Sequence, residues 1–254
     1  GGELVAEGDF VQLAHDVNLL NSLGVRLVLV HGARPQIKQH LSHNKIEDYY
    51  HHGIRLTDAA TMQCVKEAVG RVRFEIEALM SMGLANSPMA NADIRVAGGN
   101  FITAKPLGVI HGVDLLHTGS VRKIDVSAIR DRLAFNEVVL LSPLGFSPTG
   151  EIFNLTLEDV ATATAIALDA DKLIFLMDTD GVMDSKGALL GELTIADANK
   201  ILSGKRKLPD DVALFLPCAV RACEGGVTRT HLISRHRDGA VLQELFSDVG
   251  IGSM

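Results

Sequence analysis

The chain has 254 residues, 47% of them hydrophobic and only 4% aromatic, with a formal net charge of −7. This suffices for one large α/β domain with an aliphatic core or two small ones, and the acidic balance disfavours nucleic acid as a partner. No apolar run reaches membrane-span length, and the three cysteines, Cys64, Cys218 and Cys223, read as reduced thiols in a cytoplasmic protein rather than as disulfides or a zinc site.

Taken in chain order, Phe10, Leu13, Val17 and Leu20 recur at helical spacing over residues 10–23, with Asp9 as the expected cap and Gly24 as the expected stop. Residues 25–30 form an apolar strand interrupted by Arg26, and a second helix opens near Pro35. Residues 61–82 give the clearest helix, with Met62, Val65, Val69, Val72, Ile76 and Leu79 on one stripe. Two strand-like pieces flank the turn Gly98-Gly99-Asn100. Further along come a strand at 138–141, a helix at 156–168, a strand at 173–177, a helix at 213–223 closed by Gly225-Gly226, a strand at 230–233 and a helix at 240–246. The strands lack polar alternation, the mark of burial on both faces. The expected fold class is therefore α/β, a three-layer αβα sandwich with a central, mainly parallel sheet, in one domain over 1–254.

Glycine-bearing loops recur where anions bind, at strand ends and helix starts: Gly1-Gly2, Gly32-Ala33-Arg34-Pro35, Gly98-Gly99-Asn100 and Gly225-Gly226. Each alone is equally a turn. Their neighbours make them specific. The segment Val30-His31-Gly32-Ala33-Arg34-Pro35-Gln36-Ile37 resembles the VHGGGPQI loop of acetylglutamate kinases, and Gly53 to Asp58 resembles their GxRVTD element. Phe153-Asn154 to Glu158 sits where that family has NxNAD, Lys172 to Val182 resembles KLILLTDxxGV, and Gly225-Gly226-Val227 matches GGV. The order and spacing extend over essentially the whole chain, which is identified as a member of the amino-acid kinase superfamily with its carbamate kinase-like fold.

The departures select the member. Phosphoryl transfer needs cations around the moving group. The family's lysine in GGMxxK has no counterpart in Ala213-Leu214-Phe215-Leu216-Pro217, its organising aspartate falls on Glu158, and its triple glycine is interrupted by Ala33 and Arg34, whose side chain is expected to crowd the phosphate path. The kinase-like domain of bacterial N-acetylglutamate synthases departs in the same way. It resembles this chain at Gly32 to Ile37, at Ala104 to Asp114, at Phe153 to Thr156 and at Val241 to Gly252. That resemblance implies a regulatory domain that binds L-arginine as feedback inhibitor, carries no cofactor or metal, and precedes an acetyltransferase domain using acetyl-CoA and glutamate. It also implies a homo-oligomer, expected through helix 61–82 and an N-terminal helix. Gly1-Gly2 at the start and Gly250 to Met254 at the end suggest a segment of a longer protein. The alternative is an active kinase that phosphorylates N-acetylglutamate with ATP.

The resemblance places the arginine site in the C-terminal segment, on Glu244, Ser247 and Gly250, and no acetyl-transfer residue within the chain. Glu244 would meet the guanidinium or ammonium group, Ser247 would hydrogen-bond a polar end, and Gly250 would let the backbone approach. Read without the family, Glu244 is a solvated helix acid, and Ser247 and Gly250 form a helix terminus. Gly1, Gly2, Gly32, Ala33, Arg55 and Asn154 are the expected remnants of substrate and phosphate loops. Arg55 reads equally as an anion ligand or a structural ion pair, and Asn154 as a ligand or as the cap of the following helix. Asp178 reads as a turn acid. Two adjacent histidines, His51-His52, point different ways and are read as a loop pair, not a metal site. Lys205-Arg206-Lys207, followed by Asp210-Asp211, reads as a solvated loop.

Overall fold

The structure, a computed structural model, describes residues 2–82, 94–247 and 250–254, and forms two compact units, Gly1–Val160 and Ala161–Met254. Each is built around its own parallel strand pairing.

In the first unit, helices α1 (Gly2–Glu7) and α2 (Phe10–Ser22) lead into strand β1 (Val28–Val30). Asp9 lies in the helical region and its side chain caps nothing, so the expected cap is absent, whereas Gly24 takes the left-handed φ of +81° that ends the segment. The strand starts three residues later than the apolar run. Helix α3 (Arg34–His43) follows with Pro35 in its first turn, where a missing N–H costs nothing. A hairpin of β2 (Tyr50–His51) and β3 (Ile54–Arg55) precedes α4 (Ala59–Met80). Asp58 caps α4, its carboxylate accepting from the Thr61 N–H at 2.7 Å.

The stripe on α4 is buried as expected up to Ile76, but the last turn buries Met80 and leaves Leu79 at the margin. The helix packs on α2 and α3, so this stripe is core and not a free face. Among what α4 leaves exposed are Gln63, Lys66, Glu67, Arg71 and one large apolar residue, Phe74, 69% exposed.

The unit continues through β4 (Val96–Ala97), β5 (Ile102–Pro106), the hairpin β6 (Val109–Ile110) and β7 (Val113–Asp114), β8 (Gly119–Ile124), α5 (Val126–Ala134), β9 (Val138–Leu141), β10 (Leu144–Phe146) and β11 (Ile152–Asn154). Strand β9 runs parallel between β1 and β4, pairing Val139 with Val28 and Val138 with Val96. All four of its residues are buried, which is why the sequence shows no alternation there. A second sheet, ordered β11-β10-β5-β8, is mixed: only β10 and β5 run parallel. This mixed sheet is an addition to the mainly parallel pairing expected; its antiparallel neighbours β10 and β11 are joined directly by residues 147–151, and β5 and β8 through the β6–β7 hairpin. Helix α6 (Leu157–Leu168) begins in this unit. The Thr156 hydroxyl accepts from the Asp159 N–H at 3.2 Å and caps it.

In the second unit, β12 (Lys172–Met177) runs parallel to β13 (Arg229–Ser234), in register from Lys172↔Arg229 to Met177↔Ser234. Between them lie α7 (Ile195–Ser203) and α8 (Asp210–Glu224). Helix α8 starts three residues before the apolar pattern does and runs through Pro217. Helix α9 (Ala240–Phe246) keeps its expected bounds. Among the described residues no helix is long and apolar enough to cross a membrane.

Candidate functional site

In the first unit the loop after β1 is closed by the chain's own groups. Gly2 opens helix α1 rather than a strand-end loop, and Gly1 lies outside the described residues. A Cβ on Gly2 would stand 2.7 Å from the Gly32 carbonyl oxygen, so the two backbones meet at a distance only glycine permits. The Gln36 amide donates to the Gly2 carbonyl at 2.7 Å and holds the contact. His31, buried, places Nε2 2.8 Å from the Ser142 hydroxyl and Nδ1 3.3 Å from the Gly32 carbonyl. Nδ1–H donating to Gly32 leaves Nε2 to accept from Ser142. Burial lowers the His31 pKa to about 4, which keeps the ring neutral.

Two departures from the kinase pattern turn out to be partners. Arg34 Nη2 donates to Glu158 Oε1 at 2.7 Å. The guanidinium is thus drawn to the longer acid on α6 and its charge is balanced there. Ala33 is buried and caps α3 with no side-chain hydrogen bond.

Arg55 is buried in a bidentate pair with Asp48, at 2.8 and 3.0 Å, and its Nη2 also donates to the Tyr50 hydroxyl at 2.6 Å. Of its two readings, the structural ion pair is the one seen. Asn154 caps no helix, a correction that follows from Thr156 taking that role. Its amide donates instead to the Thr57 hydroxyl at 3.0 Å, and the Thr118 hydroxyl lies 2.8 Å from the same oxygen and 2.6 Å from the Arg55 carbonyl. These buried side chains tie the β2–β3 hairpin to β11.

In the second unit the end of β12 is occupied by an internal carboxylate. Asp211 Oδ2 accepts from the N–H groups of Asp178 and Thr179, at 3.0 and 2.8 Å, and from the Thr179 hydroxyl at 2.9 Å. Backbone donors at the carboxyl end of a parallel strand are where an anion would be cradled. Here a protein acid takes that position. Asp178 itself accepts from Arg235 Nε at 2.5 Å and is an exposed turn acid, as expected. Asp211 carries no site signal in the sequence, where Asp210-Asp211 reads as part of a loop. Pro209 followed by two acids is in fact a helix-start signal.

The C-terminal residues gather around Glu244. Far from being a solvated acid, it is buried, with Oε1 2.7 Å from His231 Nδ1 and Oε2 accepting from the N–H groups of Ile251 and Gly252 at 2.7 and 3.2 Å. Desolvation is the larger influence on His231 and lowers its pKa, while Glu244 opposes it. A Cβ on Gly250 would lie 2.9 Å from the Glu244 carboxylate, so glycine there lets the backbone come close to Glu244. Ser247 sits at the end of α9, its hydroxyl donating to the Gln243 carbonyl at 2.5 Å. Ser253 then pairs with Leu232 as an added bridge and accepts from the Val182 N–H at 2.8 Å. A cavity of about 540 Å³ lies beside Leu193, Leu216, Val220, Thr230, Leu232 and Met254, and takes in none of the expected site residues. His231 carried no signal in the sequence; only its pairing with an acid on α9 gives it meaning.

The sequence profile of the amino acid kinase family matches residues 1–234. The chain belongs to the amino acid kinase family. The expected α/β fold class stands on that match and on structural likeness: carbamate kinase from Giardia lamblia, 14% identical, superposes with a TM-score of 0.67 over 91% of this chain and 85% of its own. Within the amino acid kinase family, the chain is 49% identical to an amino-acid acetyltransferase of Ralstonia nicotianae over 100% of its length and 56% of the relative. It is also 34% identical to N-acetylglutamate synthase from Neisseria gonorrhoeae, crystallised with coenzyme A and L-arginine, with a TM-score of 0.89 over 99% of this chain and 58% of that one. The chain thus spans a little over half the length of these acetyltransferase relatives.

Proposed function

We propose that this chain is the arginine-sensing, kinase-like part of an amino-acid acetyltransferase of the N-acetylglutamate synthase type. In that setting an acetyltransferase part moves acetyl from acetyl-CoA to the amino group of L-glutamate, and this part contributes control, not chemistry. The observation that carries the reading is the likeness, over nearly the whole chain, to a synthase crystallised with L-arginine. The internal occupation of the strand ends agrees with it. A nucleotide approaching the Asp178-Thr179 turn would meet the negative charge of Asp211, and Arg34 is already balanced by Glu158. The kinase alternative has only fold-level likeness behind it.

L-Arginine is held, in this proposal, at the end of α9. A carboxylate offers about four lone-pair sites. His231, Ile251 and Gly252 use three on Glu244, which leaves one for the ligand's guanidinium or ammonium group. Ser247 offers its hydroxyl oxygen to a polar end of the ligand, and Gly250 keeps the backbone close. Gly2, Gly32, Ala33, Arg55 and Asn154 are remnants of a substrate and phosphate cradle whose partners are now protein groups. A cytoplasmic setting and a homo-oligomer belong to the same proposal, with the exposed side of α4 around Phe74 as what that helix can contribute.

Calorimetry with the 254-residue chain tests this. Saturable L-arginine binding is expected, with L-citrulline, which lacks the cationic guanidinium, much weaker. Acetyl-transfer and ADP-release assays on the chain are expected to be silent. Arginine indifference together with ATP-dependent phosphorylation of N-acetylglutamate would overturn the proposal.

A further inference from the structure

Two hairpins of the first unit share one unusual turn. The β2–β3 hairpin is closed by His52-Gly53, with φ of +48° and +78°, and the β6–β7 hairpin by His111-Gly112, with φ of +47° and +82°. Both are two-residue turns with positive φ at each central position, the geometry that matches strand twist. Asparagine or glycine is the common first residue of such turns, and histidine there accepts a left-handed backbone. In this fold the two tips come together. The ring centres of His52 and His111 are 4.7 Å apart, those of His51 and His52 4.5 Å, and those of His51 and His111 6.3 Å. In the same order the planes are inclined by 57°, 81° and 55°, so the rings do not stack, and as placed their nitrogens do not all lie within 4.8 Å of one another.

His51 Nε2 is shielded from solvent and has no hydrogen-bond partner among the described residues. A shielded imidazole nitrogen without a partner is unfavourable unless a ligand takes it. Adjacency alone argued against a metal at His51-His52. The third ring, from a distant hairpin, changes that argument. Three imidazoles bound tetrahedrally to one ion, at metal–nitrogen distances of about 2.0–2.1 Å, have ring centres about 5 Å apart. The observed separations bracket that spacing, and rotation about the side-chain bonds is what convergence of the nitrogens requires.

We propose that His51, His52 and His111 bind one divalent transition-metal ion of the zinc class and so clasp the two hairpins together. Three neutral imidazoles suit zinc and its neighbours far better than magnesium or calcium, which prefer oxygen. A fourth coordination position stays available to water or to a ligand's carboxylate. Because the β2–β3 hairpin also carries Arg55 and leads into the Thr57 cluster, the clasp would steady that buried network.

The test is zinc chloride titrated into the untagged chain by calorimetry, with cobalt(II) visible absorption as a reporter of tetrahedral nitrogen ligation. One equivalent is expected to bind. H52N and H111N keep the positive-φ turns, since asparagine tolerates them, and each is expected to weaken zinc binding by about 10-fold or more. Both exposed positions are also expected to keep the metal-free melting temperature while losing the rise that zinc produces. H51Q is expected to act alike, and H43N, at an exposed position at the end of α3, to leave binding unchanged. Zinc binding that is equal in wild type, H52N and H111N, or none at about 100 μM zinc, overturns the site.

Discussion

Asp211 meets Thr179 twice with a single oxygen, accepting its N–H at 2.8 Å and its hydroxyl at 2.9 Å. With the Asp178 N–H on the same atom, the turn after β12 is organised around a charge supplied by α8. Replacing Asp211 by alanine strands three donors beside the strand end. The expected loss is about 1–3 kcal/mol of stability in the second unit, read by urea denaturation. A weak new affinity for phosphate or pyrophosphate is expected to accompany it. A variant as stable as wild type would show that this carboxylate organises nothing.

The Arg34–Glu158 pair calls for a double-mutant cycle. Arg34 is half exposed, so solvent screens the pair, and a coupling energy of no more than about 1 kcal/mol is expected between R34A and E158A. Chemical denaturation in low and high salt measures it, and the coupling should shrink at high salt.

Removing the Glu244 carboxylate is expected to be far more damaging. E244A leaves His231 Nδ1 and the N–H groups of Ile251 and Gly252 without their acceptor. A loss of about 3 kcal/mol or more is expected, with residues 250–254 cut early by carboxypeptidase. G250A, whose Cβ would press on the same carboxylate, should shift the melting temperature in the same direction by less.

Burial of His31 makes stability depend on pH. Its pKa falls from 6.5 unfolded to about 4 folded. Between those values the unfolded chain binds a proton that the folded chain does not, so stability is full above pH 6.5 and drains away down to about pH 4. The His31 contribution amounts to at most about 3 kcal/mol. H31Q should flatten this stretch of the stability–pH curve. An unchanged slope would falsify the assignment.

Much of this was legible in the sequence. Helix 240–246 and strand 138–141 kept their bounds because each is strongly patterned and closed by clear signals. The family motifs located the loops at Gly32 and Gly225. What stayed hidden depends on distant partners. Nothing local says that Arg34 will find Glu158, that Asp211 will reach back to Thr179, or that Glu244 will be buried against His231. Strands β8, β10 and β11 give no clear signal because their residues mix polar and apolar types, and antiparallel pairing tolerates that mixture. The cap reading of Asn154 fails for a similar reason: its helix already has Thr156.

Strand β9, with parallel neighbours on both sides and every residue buried, has a practical use. Its amides can trade hydrogen for deuterium only when the first unit opens as a whole. The peptide Val138–Leu141 is therefore a clock for that unit, and β12 offers a second clock in the other. Following both while arginine or zinc is added would tell which half of the molecule each one slows.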